Sequence, residues 1–212
     1  MKLFRYDGGL FRILSLLGDL ILLNILWILT SIPLITIGAS TSALYTITIK
    51  IVAGEEGYVI KPYFSAFLRN FKQATILWII CAAIGIWVCF FFSITRSMDS
   101  NLGRMLQLIE AAAVIILVLA FLYLFPMQSR YQNNVKGLLY NSFYLSLRYL
   151  PYSLLMLVIA TSLFILLALF QDAFNLIMAI WISLGISGTA YGISFCIYRV
   201  FHMAENTEQT VS

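Results

Sequence analysis

The sequence predicts an all-α fold, a polytopic bundle of transmembrane helices with six spans in three hairpins. Three observations predict it. Of 212 residues, 62% are apolar and 10% are charged, against about 45–50% and about 25% in soluble domains. Mean hydropathy is +0.95, and too few polar side chains remain to coat a water-facing surface. Finally, Lys and Arg gather on alternate loops. A soluble enzyme, a disordered chain and a secreted disulfide scaffold are excluded.

The N-terminus carries Lys2, Arg5 and Arg12 before turning apolar. The run from Ile13 to Ile37 is longer than a signal-peptide core and further spans follow, so it reads as a retained first helix over 13–32. Pro33 ends it. The stretch 34–53 is small and hydroxyl-rich, with Thr36, Gly38, Ser40, Thr41, Ser42, Thr46 and Thr48, and closes on Lys50. The remaining spans fall at 74–95, 109–128, 152–170 and 173–198, each long enough for roughly 20 residues of hydrocarbon crossing.

Whether 34–53 crosses is decided by charge. With six spans and both termini cytoplasmic, the inside receives Lys2, Arg5, Arg12, Lys50, Lys61, Arg69, Lys72, Arg130, Lys136, Arg148 and Arg199, and the outside only Arg96 and Arg104. With five spans, Lys and Arg divide far more evenly. Positive side chains favour the cytoplasmic side, so six spans are expected. A re-entrant or in-plane 34–53 segment is the competing arrangement. The outer connections are then Thr30–Pro33, 96–108 and Gln171–Phe174.

The inner connections, 54–73 and 129–151, are longer and basic. Gly54-Glu55-Glu56-Gly57 reads as a turn, and Lys61-Pro62 as a helix start. Phe64, Phe67, Leu68 and Phe71 recur at helical spacing beside Arg69 and Lys72. Segment 135–150 repeats the pattern with Phe143, Leu147 and Leu150 near Lys136 and Arg148. Each predicts a short amphipathic interfacial helix. Lys61, Arg69, Lys72, Lys136 and Arg148 suit either a docking surface for a partner or anchors held by anionic lipid. At an offset of 79, Phe64 matches Phe143, Leu68 matches Leu147, Arg69 matches Arg148 and Ile80 matches Ile159, as in a parallel internal repeat.

Inside the spans, Asp19 shares a helical face with Arg12 and Ser15, and Asn24 lies near mid-membrane. An ionisable group at such depth is a functional candidate by default, and pairing or packing is its structural alternative. Asp19, Asn24, Thr36, Ser40 and Thr41 are the candidate substrate contacts. Gly38, Ser42, Thr46 and Lys50 form an i+4 ridge, and Gly188–Gly192 is a GxxxG match. Both are expected at close helix crossings. Glu110 and Asp172 fall at span ends, where water is available.

Signs of catalysis are poor. Gly185-Ile-Ser187-Gly188 matches the GxSG nucleophile motif of intramembrane serine proteases, but His202, the sole histidine, lies roughly 22 Å further along the same helix. Cys81 and Cys89 sit about 12 Å apart on one helix, too far for a disulfide, and Cys196 reads as packing. No enzyme activity, cofactor, metal or nucleic-acid partner is expected.

Several runs resemble one family. Asn24-Ile-Leu-Trp27, Ile32 to Thr41, Gly54-Glu-Glu-Gly-Tyr58 and Asn70-Phe-Lys-Gln-Ala-Thr75 together resemble the YesL-like bacterial membrane proteins. Phe125-Pro126 and Ser146 to Pro151 continue the likeness. The resemblance implies a bacterial cell-membrane location. By association it also implies an accessory or regulatory role in oligosaccharide uptake, with sugar ABC importer permease subunits as partners. It supplies no active site. The alternative reading is a transporter or channel for a small neutral solute.

Overall fold

The computed structural model describes residues 9–55, 57–98, 100–131 and 133–211. Lys2 and Arg5 of the charge pattern, and Glu56 of the predicted turn, lie outside them. The described residues are all-helical, without strands. Helix α1 covers Gly9–Ser31, and a 3-10 turn over Leu34–Thr36 leads into α2, Ile37–Val52. Then come α3 Ile60–Arg96, α4 Asn101–Arg130, α5 Val135–Arg148, α6 Leu150–Ala160 and α7 Ser162–Leu169. After a 3-10 turn, α8 (Phe174–Ile180) passes through a π-helical turn, Trp181–Gly185, into α9, Ile186–Val211.

Five helical stretches are long and apolar enough to cross a bilayer: Arg12–Ser31, Leu34–Val52, Ile60–Arg96, Asn101–Arg130 and Gln171–Asn206. A sixth arises only if α5 and α6, which meet at 101°, count as one broken span. The outer surface is apolar: Ile86, Trp87, Phe90, Leu108, Ile109 and Phe164 are all exposed. A water-soluble protein rarely exposes so much contiguous apolar surface. The chain has the build of a membrane protein.

Two segments differ from the sequence pattern. Residues 63–73 form no separate interfacial helix, because Tyr63 to Ile84 contains neither Gly nor Pro and α3 runs unbroken for 37 residues. At 1.5 Å per residue it is about 55 Å long, well beyond the ~30 Å hydrocarbon layer. The stretch 152–170 is instead divided between α6 and α7. Thr161 at the break returns its hydroxyl to the Leu157 carbonyl at 2.8 Å, a bond that bends helices. Pro151 in the first turn of α6 removes an N–H donor and favours the break from α5 at Tyr149.

Helix α2 is the centre of the bundle. Ten of its residues are buried, and α1, α3, α4 and α9 pack round it. Its small ridge explains how they approach. A Cβ on Gly38 would meet the Ala74 carbonyl oxygen and lie 2.8 Å from Trp78 Cβ. Ser42, one turn on, accepts a hydrogen bond from Asn70 at 3.1 Å. The α2–α3 crossing therefore follows the predicted ridge. The GxxxG match serves similarly at Gly192, whose Cβ would lie 3.3 Å from Ile159 of α6.

Burial follows the offset of 79 as well. Val59, Tyr63, Ala66, Ala74 and Leu77 are buried, and so are Leu138, Ser142, Leu145, Ser153 and Met156, each 79 positions later. Phe64, Leu68 and Arg69 are exposed, as are Phe143, Leu147 and Arg148. The α2–α3 and α4–α5–α6 segments thus present corresponding faces to the bundle and to the surroundings.

Candidate functional site

The first cluster of polar groups is a seam joining α1 to its neighbours. Thr36 donates its hydroxyl to the Thr30 and Pro33 carbonyls, both at 2.6 Å, and its N–H bonds Pro33 O at 2.8 Å. This staples the turn after Pro33. Trp27 Nε1 donates to Thr41 Oγ1 at 3.2 Å. The Tyr63 hydroxyl lies 2.8 Å from Thr30 Oγ1 and donates to the Ser40 carbonyl at 3.4 Å. Ser40 in turn donates to the Thr36 carbonyl at 3.0 Å. Lower down, Thr48 and Ser194 join α2 to α9 at 2.8 Å.

Asn24 holds the far side of the bundle. Fully buried, it donates Nδ2 to the Ile182 carbonyl at 2.6 Å and accepts the Ser187 N–H on Oδ1 at 3.0 Å. Ile182 and Ser187 are five residues apart, the spacing that a π turn closes. The amide bridges the gap where the π turn returns to α-helix. In hydrocarbon those two backbone groups would otherwise lack water.

The second cluster lies at the end where the C-terminal ends of α2 and α4 meet α9 and the start of α3. Here the α2–α3 seam opens into a cleft of about 480 Å³. Lys50, Arg69, Arg130 and His202 line it, with Glu55 as a carboxylate. Lys50 and Arg130 sit in the last turns of their helices, where a cation offsets the negative helix end. Lys50 Nζ is 3.9 Å from Glu55 and Arg130 Nη2 is 3.0 Å from Glu205. Tyr131 also donates to Glu205, at 2.7 Å. Arg69 makes no ion pair among the described residues.

The turn entering the cleft is a Schellman motif. Gly54 has φ +78°, its N–H bonds Ile51 O at 3.1 Å, and Glu55 N–H bonds Lys50 O at 3.0 Å. Only glycine takes that φ without strain.

The sequence candidates separate between these places. Asn24, Thr36, Ser40 and Thr41 all belong to the seam, with their polar groups bonded to neighbouring protein atoms. Asp19 is half-buried on α1 and forms no ion pair with Arg12 among the described residues. Lys61, Arg69, Lys72, Lys136 and Arg148 are all exposed. Gln73 of α3 donates to the Asn133 carbonyl, which brings the two basic loops together. Arg148 bonds the Tyr144 hydroxyl at 2.7 Å and covers the Tyr144 and Tyr149 rings.

Sequence reasoning missed three features. The cleft needs Lys50, Arg130, Tyr198 and His202 from three separate helices, and only the basic last turns hinted at it. The π turn had no local signal. Glu110, expected near water, is 8% exposed, because α4 already starts at Asn101 and carries it about 13 Å along the helix. Its Oε2 accepts from Thr95 Oγ1 at 3.2 Å, and Gln107 bonds the Thr95 carbonyl at 3.0 Å. Its Oε1 is buried without a protein partner.

Residues 20–92 match a family model described as a protein of unknown function, DUF624. That stretch runs from mid-α1 to late α3 and contains Asn24, the turn after Pro33, and Arg69. No curated protein and no solved structure matches the chain.

Proposed function

We propose that this protein is a membrane-embedded accessory subunit that docks other membrane proteins at the basic end of its bundle. The observation carrying this reading is the pair of corresponding outward faces. Phe64 and Leu68 on α3, and Phe143, Leu147 and Arg148 on α5, are all exposed on the outside of the bundle. The same segments turn Val59, Tyr63, Ala66, Leu138, Ser142, Leu145 and Ser146 inward. Aromatic and arginine side chains are the usual anchors of protein interfaces.

In the orientation that positive-inside charge favours, this end and both termini are cytoplasmic, the chain crosses six times, and residues 152–170, divided between α6 and α7, make the fifth crossing. The resemblance to YesL-like proteins supplies the partner class, the permease subunits of a carbohydrate ABC importer in a bacterial cell membrane. No catalytic step is assigned to any side chain. Purification in gentle detergent at native expression should recover permease subunits, and Phe64→Ser with Phe143→Ser should lose them. Recovery of this chain alone would defeat the proposal.

A second reading, passage of a small neutral solute, draws on the hydroxyl row of α2 at the bundle centre. Its path would have to open the bonds made by Asn24, Thr36, Ser40 and Thr41. Solute flux into reconstituted liposomes, abolished by Asn24→Leu, would favour it over docking.

A further inference from the structure

We infer that the cleft between α2, α3, α4 and α9 is a binding site for a phosphate group at headgroup depth, with Arg69 as its principal ligand. The argument starts from which cations are already engaged. Lys50 and Arg130 each face a carboxylate, Glu55 and Glu205, and each caps a negative helix end. Arg69 does neither. It lies beyond the first turn of α3 and lines the cleft. A guanidinium presents a planar fork of donors that matches phosphate oxygens better than an ammonium does.

The surroundings fit the same chemistry. Ser65, one turn before Arg69, lines the cleft, as do His202 and Ser129, whose hydroxyl donates to the Pro126 carbonyl at 2.7 Å. Ser65 makes no hydrogen bond among the described residues, so its hydroxyl is open to a ligand. The volume of about 480 Å³ is within the usual range for small-molecule sites and far more than a single ion fills.

Depth identifies the source of phosphate that the site would meet first. Counting about 20 residues of hydrocarbon crossing back from Arg96 at the far end of α3, the apolar layer ends near residue 76. Arg69 then lies about 10 Å beyond it, within the headgroup layer. An anionic phospholipid would place its phosphate there with its acyl chains still in the bilayer. This inference stands apart from the docking proposal, since the cleft lies between helices and the docking faces lie outside them.

The test uses the full chain purified in mild detergent. Phosphatidylglycerol and phosphatidylcholine are titrated in mixed micelles and bound lipid is counted by native mass spectrometry. Phosphatidylglycerol should bind preferentially. Arg69→Gln should weaken it about tenfold, the scale of a charge-assisted hydrogen-bond pair. Arg69→Lys should restore part of the loss. Arg104→Gln, which removes the same charge from exposed α4 outside the cleft, should leave binding unchanged.

Inorganic phosphate added at millimolar concentration separates the sources. If it leaves bound phosphatidylglycerol in place, the headgroup is the ligand. If it displaces the lipid in wild type, and binds without lipid in an Arg69-dependent way, the site serves a soluble phosphate. Equal loss in Arg69→Gln and Arg104→Gln would overturn the inference, as would undiminished phosphatidylglycerol binding in Arg69→Gln. Far-ultraviolet circular dichroism of each variant establishes that the bundle is intact.

Discussion

Asn24 accepts the backbone N–H of Ser187, 163 residues away in the chain, at 3.0 Å. With its donation to Ile182 O at 2.6 Å, one side chain ties α1 to the start of α9. The orientation of the amide is fixed by this pairing, because a carbonyl can only accept and an N–H can only donate.

Replacing Asn24 should therefore loosen the π turn before anything else. Asn24→Leu loses both bonds and leaves Ile182 O and Ser187 N–H without partners. A loss of about 1–3 kcal/mol is expected, since interhelical bonds in membranes average well under 2 kcal/mol each. Asn24→Asp keeps an acceptor but has no donor when ionised, and should also be destabilised. Amide hydrogen exchange should rise at Ser187 more than at Ile197. Unchanged exchange at Ser187 would refute the role given to the clamp.

The α2–α3 crossing should respond steeply to volume at Gly38. A Cβ there runs into the Ala74 backbone and Trp78, neither of which can yield cheaply. Gly38→Ala should cost about 1–3 kcal/mol and Gly38→Val more, as expected for overpacking. Gly18→Ala, where nothing lies within 4 Å, should leave thermal stability in detergent unchanged or slightly improved. Equal tolerance at both sites would show that α2 and α3 do not meet this closely.

The turn after α2 offers a cleaner contrast. Gly54 occupies the left-handed region at φ +78° and Gly57 does not, and neither has a neighbour within 4 Å of an added Cβ. Gly54→Ala should cost about 1 kcal/mol through backbone strain, lowering the melting midpoint by about 2–4 °C for a chain of this size. Gly57→Ala should be neutral.

At the opposite end, Glu110 holds a carboxyl group in a site with one weak partner. Glu110→Gln keeps an acceptor for Thr95 at nearly unchanged volume. Its melting midpoint in detergent should match or exceed that of the parent chain. A fall of several degrees would contradict the arrangement.

Much of this architecture could be read from the residues. The membrane build followed from composition, and the α2–α3 seam from the Gly38–Ser42–Thr46 ridge. Small side chains at four-residue spacing have little use except close packing. The two amphipathic stretches were legible from their spacing, and Phe64, Leu68, Phe143 and Leu147 are exposed. That 63–73 continues into the span after it was not legible, because the spacing alone does not tell a separate helix from the first turns of a longer one. The cleft was illegible for another reason. Its walls come from α2, α3, α4 and α9, and no local spacing encodes how four helix ends meet.

The unbroken length of α3 has a mechanical consequence. Nothing between Tyr63 and Ile84 allows it to flex cheaply, and the helix continues without a break from Phe64 at one end of the bundle to Arg96 at the other. A load that tilts Phe64 must swing Thr95 in the opposite sense about the pivot where Gly38 touches Ala74. The bonds from Thr95 to Glu110 and Gln107 would feel that lever arm, although they lie at the far end of α3.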